Sequence, residues 1–154
     1  MSVELSNQLA EMGNDVYLCV VRDLDDAQHG FYLSELSPAV KIINLKIPRG
    51  FSFRYFTALY RAIADVSPDV VHSHLNIIRY IFFIRPFFPR VRFVHTIHND
   101  APKEVDSRIE WLVCRSFFSR RWIDAVTISD ETSQSFADYY GVQPAYQIHL
   151  SLIH

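Results

Sequence analysis

Apolar residues recur along the chain with two different spacings, and their alternation predicts the order of secondary structure. Residues spaced three or four apart predict helices at 1–12, 53–67, 75–85, 107–121 and 130–140. Consecutive apolar residues, many of them β-branched, predict strands at 15–21, 40–47, 69–74, 92–97, 124–129 and 145–150. Strands of this composition are typical of a sheet that is covered on both faces.

A chain that opens on a helix and then alternates strands with helices specifies an open parallel sheet covered by helices. The predicted fold class is therefore α/β, with a doubly wound, Rossmann-like sheet. Ligands of such sheets bind at the carboxyl ends of the strands. Polar side chains gather where three predicted strands stop, and these are His72 and His74, then His98, Asn99 and Asp100, then Ser129 and Asp130.

Composition and charge exclude several classes of protein. A hydrophobic share of 49% with 21% charged residues is that of a globular domain, and a net charge of −2 gives no overall attraction to nucleic acid. Cys19 and Cys114 lie in apolar runs without metal-ligand spacing, which predicts reduced core thiols in a cytosolic protein. The chain opens without a signal-peptide pattern, and its longest apolar stretch, 75–88, is interrupted by arginines and a proline, which argues against a membrane span.

Four motifs in a fixed order resemble a known family. They are "ELSNQLAEMGNDVYLCVV", "SPDVVHSHL", "VHTIHND" and "DAVTISDETSQSFADYYGV". Together they look like the N-terminal, Rossmann-like half of the GT-B glycosyltransferases of family 4, and they cover nearly the whole chain. The resemblance implies transfer of a sugar from a nucleotide-sugar donor to a glycan or lipid-linked acceptor in polysaccharide biosynthesis. It also implies no metal, no further cofactor, and a place in the cytoplasm or at the inner membrane face.

Two departures from the family pattern predict an incomplete domain. Family members begin with a strand and a glycine-rich turn, and they carry a second domain that binds the nucleotide sugar. This chain opens inside the first helix and stops near the crossing to that domain. We therefore expect 1–154 to be a partial acceptor-side domain without its first central strand, inactive by itself. Because two inner edges would then lack partners, we expect self-association or completion by a separate donor domain.

The resemblance assigns His98 as the catalytic residue, acting through hydrogen bonding and charge stabilisation rather than as a nucleophile. It places His74, Asn99, Asp100 and Ser129 on the substrate-binding rim. The residues themselves leave a structural alternative open for each histidine, which can cap a strand or satisfy a nearby carbonyl. Ser129 is equally suited to a plain N-cap at the start of a helix.

The spacing of the histidines bears on whether the chain binds a metal. His72 and His74 are two apart on a strand and share one face, which suits zinc if a third ligand is present. His95 and His98 are three apart and are predicted to point to opposite faces. No third ligand is identified, so no metal site is predicted.

The segment 79–92 is rich in both phenylalanine and arginine and has no acidic residue. Such a segment can rest on an anionic membrane, which suits a lipid-linked acceptor. It can also be a core helix whose arginines extend to water. The arginines proposed for membrane contact are Arg79, Arg85, Arg90 and Arg92.

Two other functions stay open at this stage. One is a nucleotide-sugar epimerase of the same architecture, and the other is a non-enzymatic α/β module that binds a small ligand or a partner. No Ser-His-Asp arrangement, Walker loop or cysteine-rich metal motif is found in the sequence, and nothing indicates nucleic-acid binding.

Overall fold

The computed structural model describes residues 2–21, 33–47, 53–74, 77–99, 101–105 and 107–148. The helices within these ranges are α1 (Ser2–Glu11), α2 (Phe53–Val66), α3 (Ile78–Ile84), α4 (Arg108–Ser119) and α5 (Asp130–Tyr140). The strands are β1 (Tyr17–Val20), β2 (Lys41–Asn44), β3 (Val70–His74), β4 (Arg92–Ile97), β5 (Asp124–Thr127) and β6 (Tyr146–Gln147). The predicted order of elements and the α/β class are confirmed.

The chain divides into two compact units, Met1–Ala62 and Ile63–His154. In the first unit β1 and β2 form a parallel pair. Asn7 ties α1 to the segment before β2, since its Nδ2 donates to the Glu35 carbonyl and its Oδ1 accepts from the Ser37 amide, both at 2.8 Å. These bonds hold a helix and a strand together with few buried side chains.

The first strand is less buried than the sequence analysis predicted. Tyr17 and Cys19 are exposed and Leu18 is half-buried, so β1 alternates instead of being covered on both faces. Cys19 is therefore not the core thiol that was predicted. Cys114 of α4 is buried as predicted.

The second unit is built on a parallel four-stranded sheet in the order β3-β4-β5-β6. β5 is buried along its whole length, and β4 is buried at four of its six positions. Phe118, Phe136 and Tyr140 pack ring against ring beside this sheet with centroids 5.0–5.3 Å apart. The described strands thus form two parallel sheets, and β1 and β3 each have one hydrogen-bonded neighbour among them. The absence of a first central strand stays a prediction.

Local sequence signals set the ends of the helices in the second unit. The Ser107 hydroxyl accepts from the Glu110 amide at 3.2 Å and caps α4. Gly141 adopts φ 68° after α5, the left-handed position that a side chain resists. α3 is apolar on most sides and largely buried, and Pro86 lies in the 3-10 turn that follows it. Within the described ranges, no helix has the length and apolar character needed to cross a bilayer.

Candidate functional site

The carboxyl ends of three strands meet at one edge of the four-stranded sheet. His74 at the end of β3 lies opposite Thr96 of β4, and Ile97 at the end of β4 lies opposite Thr127 of β5. Because all three strands are parallel, the residues that follow them emerge at the same edge. The carboxyl rim, as we call this edge, is formed by His72, His74, His98, Asn99, Ser129 and Asp130.

Three histidines of the carboxyl rim lie side by side. The rings of His72 and His74 are 4.4 Å apart between centroids, and those of His74 and His98 are 5.4 Å apart. The Nδ1 atom of His74 lies 3.1 Å from Nε2 of His98, which is a hydrogen-bond distance. We call His72, His74 and His98 the histidine cluster.

The sequence predicts His72 and His74 on one face and His98 on the same rim, but the contact between His74 and His98 was not predicted. The spacing of His98 from His95 concerns a single strand and does not reveal a contact across strands. Positions 94, 96 and 98 continue one face of β4, and the parallel pairing sets that face beside His72 and His74. The signal was therefore present in the two-residue period of each strand once β3 and β4 were taken as neighbours.

Hydroxyl groups lie within hydrogen-bond distance of two histidines inside the strands, the exposed His72 and the buried His95. Nε2 of His72 is 2.7 Å from the Thr96 hydroxyl, which is itself buried. On the opposite face, His95 is fully buried and its Nδ1 lies 2.9 Å from the Ser73 hydroxyl. Since that hydroxyl donates to the Val94 carbonyl at 3.2 Å, its oxygen is left to accept from Nδ1–H of His95. The prediction that His95 and His98 face opposite ways is confirmed.

Partial desolvation and the neighbouring imidazoles lower the pKa of the half-buried His74 and of the exposed His72. The pKa of His74 falls from 6.5 to about 3, first because the side chain is removed from water and then because His72, His98 and His95 are close by. The pKa of His72 is lowered in the same direction by burial and by His95 and His98, although part of the residue stays exposed. At neutral pH each of these rings therefore carries one N–H donor and one acceptor nitrogen.

Possible metal ligands are not grouped in the described part of the chain. Among the residues that it describes, no group of three or more His, Cys, Asp or Glu side chains is placed to hold a metal ion. The absence of a metal site stays a prediction.

Ser129 is the N-cap of α5. Its hydroxyl accepts from the Thr132 amide at 3.2 Å, and the Thr132 hydroxyl accepts in return from the Ser129 amide at 3.0 Å. This reciprocal arrangement is a capping box. The capping role that the sequence analysis raised for Ser129 is thus present, and its role in binding substrate stays a prediction.

Two further polar residues meet at the rim. The Gln147 amide, at the end of β6, donates to the carboxylate of Asp130 in the first turn of α5. Gln147 was not singled out from the sequence, because nothing in a two-residue strand indicates its register against β5. Asn99 is exposed beside His98, and Asp100 lies outside the described residues.

The four arginines proposed for membrane contact do not form a uniform cationic surface. Three of them contact groups inside the protein, namely Arg79 with the Glu110 carboxylate, Arg85 with the carbonyls of Phe88 and Trp122, and Arg92 with the Asp124 carboxylate. Arg90 is exposed, as are Phe83 and Phe87, at 64% and 59%. Arg92 is also exposed, at 55%, so the outward surface of this segment carries both aromatic rings and guanidinium groups.

Comparison with known proteins adds a family assignment to this geometry. The family described as Glycosyltransferase Family 4 matches residues 1–150, a span that includes the whole carboxyl rim. A search of curated proteins and a search of solved structures each found no match.

Proposed function

The chain belongs to glycosyltransferase family 4, and from this premise we propose that it is the acceptor-side domain of a GT-B enzyme. The proposed reaction moves a sugar from a nucleotide-sugar donor to a glycan or lipid-linked acceptor. The family match over residues 1–150 carries this proposal. It is supported by the carboxyl rim, where polar side chains from parallel strands gather at the edge that binds ligands in such sheets.

We assign His98 the central role at this rim. It follows β4 directly, it is half-buried, and its Nε2 is engaged by His74 at 3.1 Å. A half-buried imidazole combines access to a ligand with a local environment poorer in water, in which hydrogen bonds to developing charge are stronger. In this proposal His98 hydrogen-bonds the acceptor or the transferred sugar and stabilises charge during transfer.

A transfer assay in the native background tests the proposal. Extract and membranes from cells lacking the gene are supplied with the purified full chain and with radiolabelled UDP- and GDP-sugars, each tested singly. Label is then counted in the lipid and polymer fractions. We expect the wild-type chain to restore incorporation from one donor and His98→Ala to lower it by about 10-fold or more. Arg61→Ala, an exposed substitution in α2 that belongs neither to the rim nor to segment 79–92, is the control and should match wild type.

The possible results separate the candidate functions. Full incorporation with His98→Ala would remove His98 from the site while leaving the transferase assignment. An epimerised nucleotide sugar without transferred label would identify the epimerase alternative. If the wild-type chain restores incorporation from no donor, the transfer proposal is wrong and the ligand-binding module is favoured.

We also propose that segment 79–92 contacts the membrane surface where a lipid-linked acceptor would be found, at the cytoplasmic face. The exposed rings of Phe83 and Phe87 supply the apolar contact and Arg90 supplies charge. Co-sedimentation with phosphatidylglycerol-containing liposomes should fall clearly for a Phe83→Ser, Phe87→Ser double variant. Arg79→Gln should change it little, since that guanidinium faces Glu110 at 3.6 Å. Equal binding of the double variant and wild type would reject the contact.

A further inference from the structure

The contact between His74 and His98 restricts where protons can reside. Nδ1 of His74 and Nε2 of His98 face each other at 3.1 Å, which is close enough for a direct hydrogen bond. Two facing nitrogens at this distance hold one hydrogen between them, because a second would collide with the first. The contact therefore links the tautomer of one ring to that of the other.

The ring of His74 is itself held in place. It lies 4.4 Å from the ring of His72 at an interplanar angle of 31°, and His72 is in turn bonded to Thr96 on the adjacent strand at 2.7 Å. Thr96 is paired in register with His74 across β3 and β4. The position of His74 is thus set by the sheet, whereas His98 lies just beyond the end of β4.

From this geometry we propose that His74 is a positioning residue, whose Nδ1 accepts a hydrogen bond from Nε2–H of His98 and so fixes the tautomer and orientation of that ring. The proposal rests on the proposed function in one respect, since it takes His98 to be the group that meets the acceptor or sugar. It changes the predicted role of His74 from contacting substrate to supporting the residue that does.

The charge states of the two rings fix the direction of the hydrogen bond when His98 is protonated. With a pKa of about 3, His74 stays neutral through the physiological range and keeps an acceptor nitrogen. A protonated His98 carries hydrogen on both nitrogens, so its Nε2–H must be the donor. If Nε2–H is also the donor in neutral His98, the ring gains and loses its proton at Nδ1 without breaking the contact.

The neighbours of the pair favour the same arrangement. The titratable groups that act on His74 within the second unit are His72 from the same strand, His95 from β4, and His98 itself. All of them are bases, and each one disfavours a charge on His74. His74 is therefore suited to accept hydrogen bonds and poorly suited to carry a proton.

Nitrogen-15 NMR of the histidine-labelled full chain tests the assignment directly. Ring nitrogen shifts of His98 are recorded between pH 5 and 8 in wild type, His74→Asn and His74→Leu. We expect Nε2 of His98 to stay protonated throughout in wild type, with only Nδ1 changing. Asparagine places an amide oxygen near the position of the histidine Nδ1 and should preserve this pattern, whereas leucine should give a mixture of both tautomers.

Transfer activity gives the second readout. His74→Leu should lose about 10-fold or more in the assay described above, because a ring that is no longer held in place meets the substrate less often in the productive geometry. His74→Asn should recover most of the loss. Arg61→Ala, an exposed substitution in α2 outside the histidine cluster, is the control and should leave both transfer and the shifts of His98 unchanged.

The outcomes distinguish this inference from the proposed function. Two results would overturn the positioning role even if sugar transfer is observed. One is that neutral His98 in the wild-type chain carries its hydrogen mainly on Nδ1. The other is that His74→Leu leaves the tautomer of His98 unchanged. The expected shifts together with no transfer in wild type would instead overturn the proposed reaction. Should His74→Leu fail to fold, the pH series on wild type and the asparagine variant still decide the question.

Discussion

The two ends of the four-stranded sheet are built from different chemistry. At the amino ends of the strands, the guanidinium of Arg92 contacts the carboxylate of Asp124 through two nitrogens, each 2.9 Å from Oδ2, and also bonds the Tyr146 hydroxyl. These three residues begin or lie near the beginning of β4, β5 and β6. At the carboxyl ends, the neighbours are the histidine cluster, hydroxyl groups and amides.

The two ends differ in how far their polar groups are paired within the protein. Arginine, carboxylate and tyrosine satisfy one another across three strands, and the guanidinium also lies over the Tyr146 ring at 5.6 Å. At the other end, neighbouring imidazoles disfavour protonation of one another, so their pKa values are lowered and they stay neutral. A chain gains stability from the first arrangement, while the second keeps hydrogen-bonding capacity at the edge where ligands of parallel sheets bind.

Removing the carboxylate at the amino end gives the largest expected effect on stability. Asp124→Ala deletes the carboxylate that pairs with Arg92. The Asp124 side chain is only 12% exposed. We expect the free energy of unfolding to fall clearly, because the variant removes a buried carboxylate that accepts two hydrogen bonds, although solvent screens the half-exposed guanidinium of Arg92. Urea unfolding followed by tryptophan fluorescence measures it, since Trp111 and Trp122 both lie in the second unit.

Comparison variants make this test specific to the ion pair. Arg90→Ala, in the turn before β4, removes an exposed arginine and should change the unfolding free energy by no more than about 0.5 kcal/mol. Sugar transfer by folded Asp124→Ala should equal that of wild type. A loss of transfer without a loss of stability would show that the two ends of the sheet are not separate in function.

Much of this fold could be predicted from the sequence because helices and buried strands differ in period. The apolar runs of β4 and β5 are covered by neighbours on both sides, so their pattern carries the class and the order of elements. β1 departed from its prediction because the burial of its side chains depends on what packs on each face of the sheet, which a single run of residues does not encode. The exposure of Cys19 is a tertiary property of this kind.

The candidate site was predictable only in part. The rim position of His98 follows from the rule that parallel strands end together, but its contact with His74 requires the register of β3 against β4. The roles of Arg85 and Arg92 depend on partners 30 or more residues away, Trp122 and Asp124, which spacing within 79–92 does not reveal. Side chains with local partners, such as Ser129, were assigned their local alternative correctly.

Ser129 offers the finest test of how the ends of the sheet differ, because it lies at the carboxyl rim yet has the bonds of a structural residue. Ser129→Ala removes the acceptor of the Thr132 amide and should lower the unfolding free energy by about 1 kcal/mol. Ser129→Asp keeps a capping oxygen and places a negative charge at the amino end of α5, so we expect its stability to match wild type. If capping is the whole role of Ser129, the aspartate variant also transfers sugar normally. If Ser129→Asp is as stable as wild type but loses transfer, an anionic substrate reaches this helix end, since the aspartate carboxylate repels an anion and the serine hydroxyl does not.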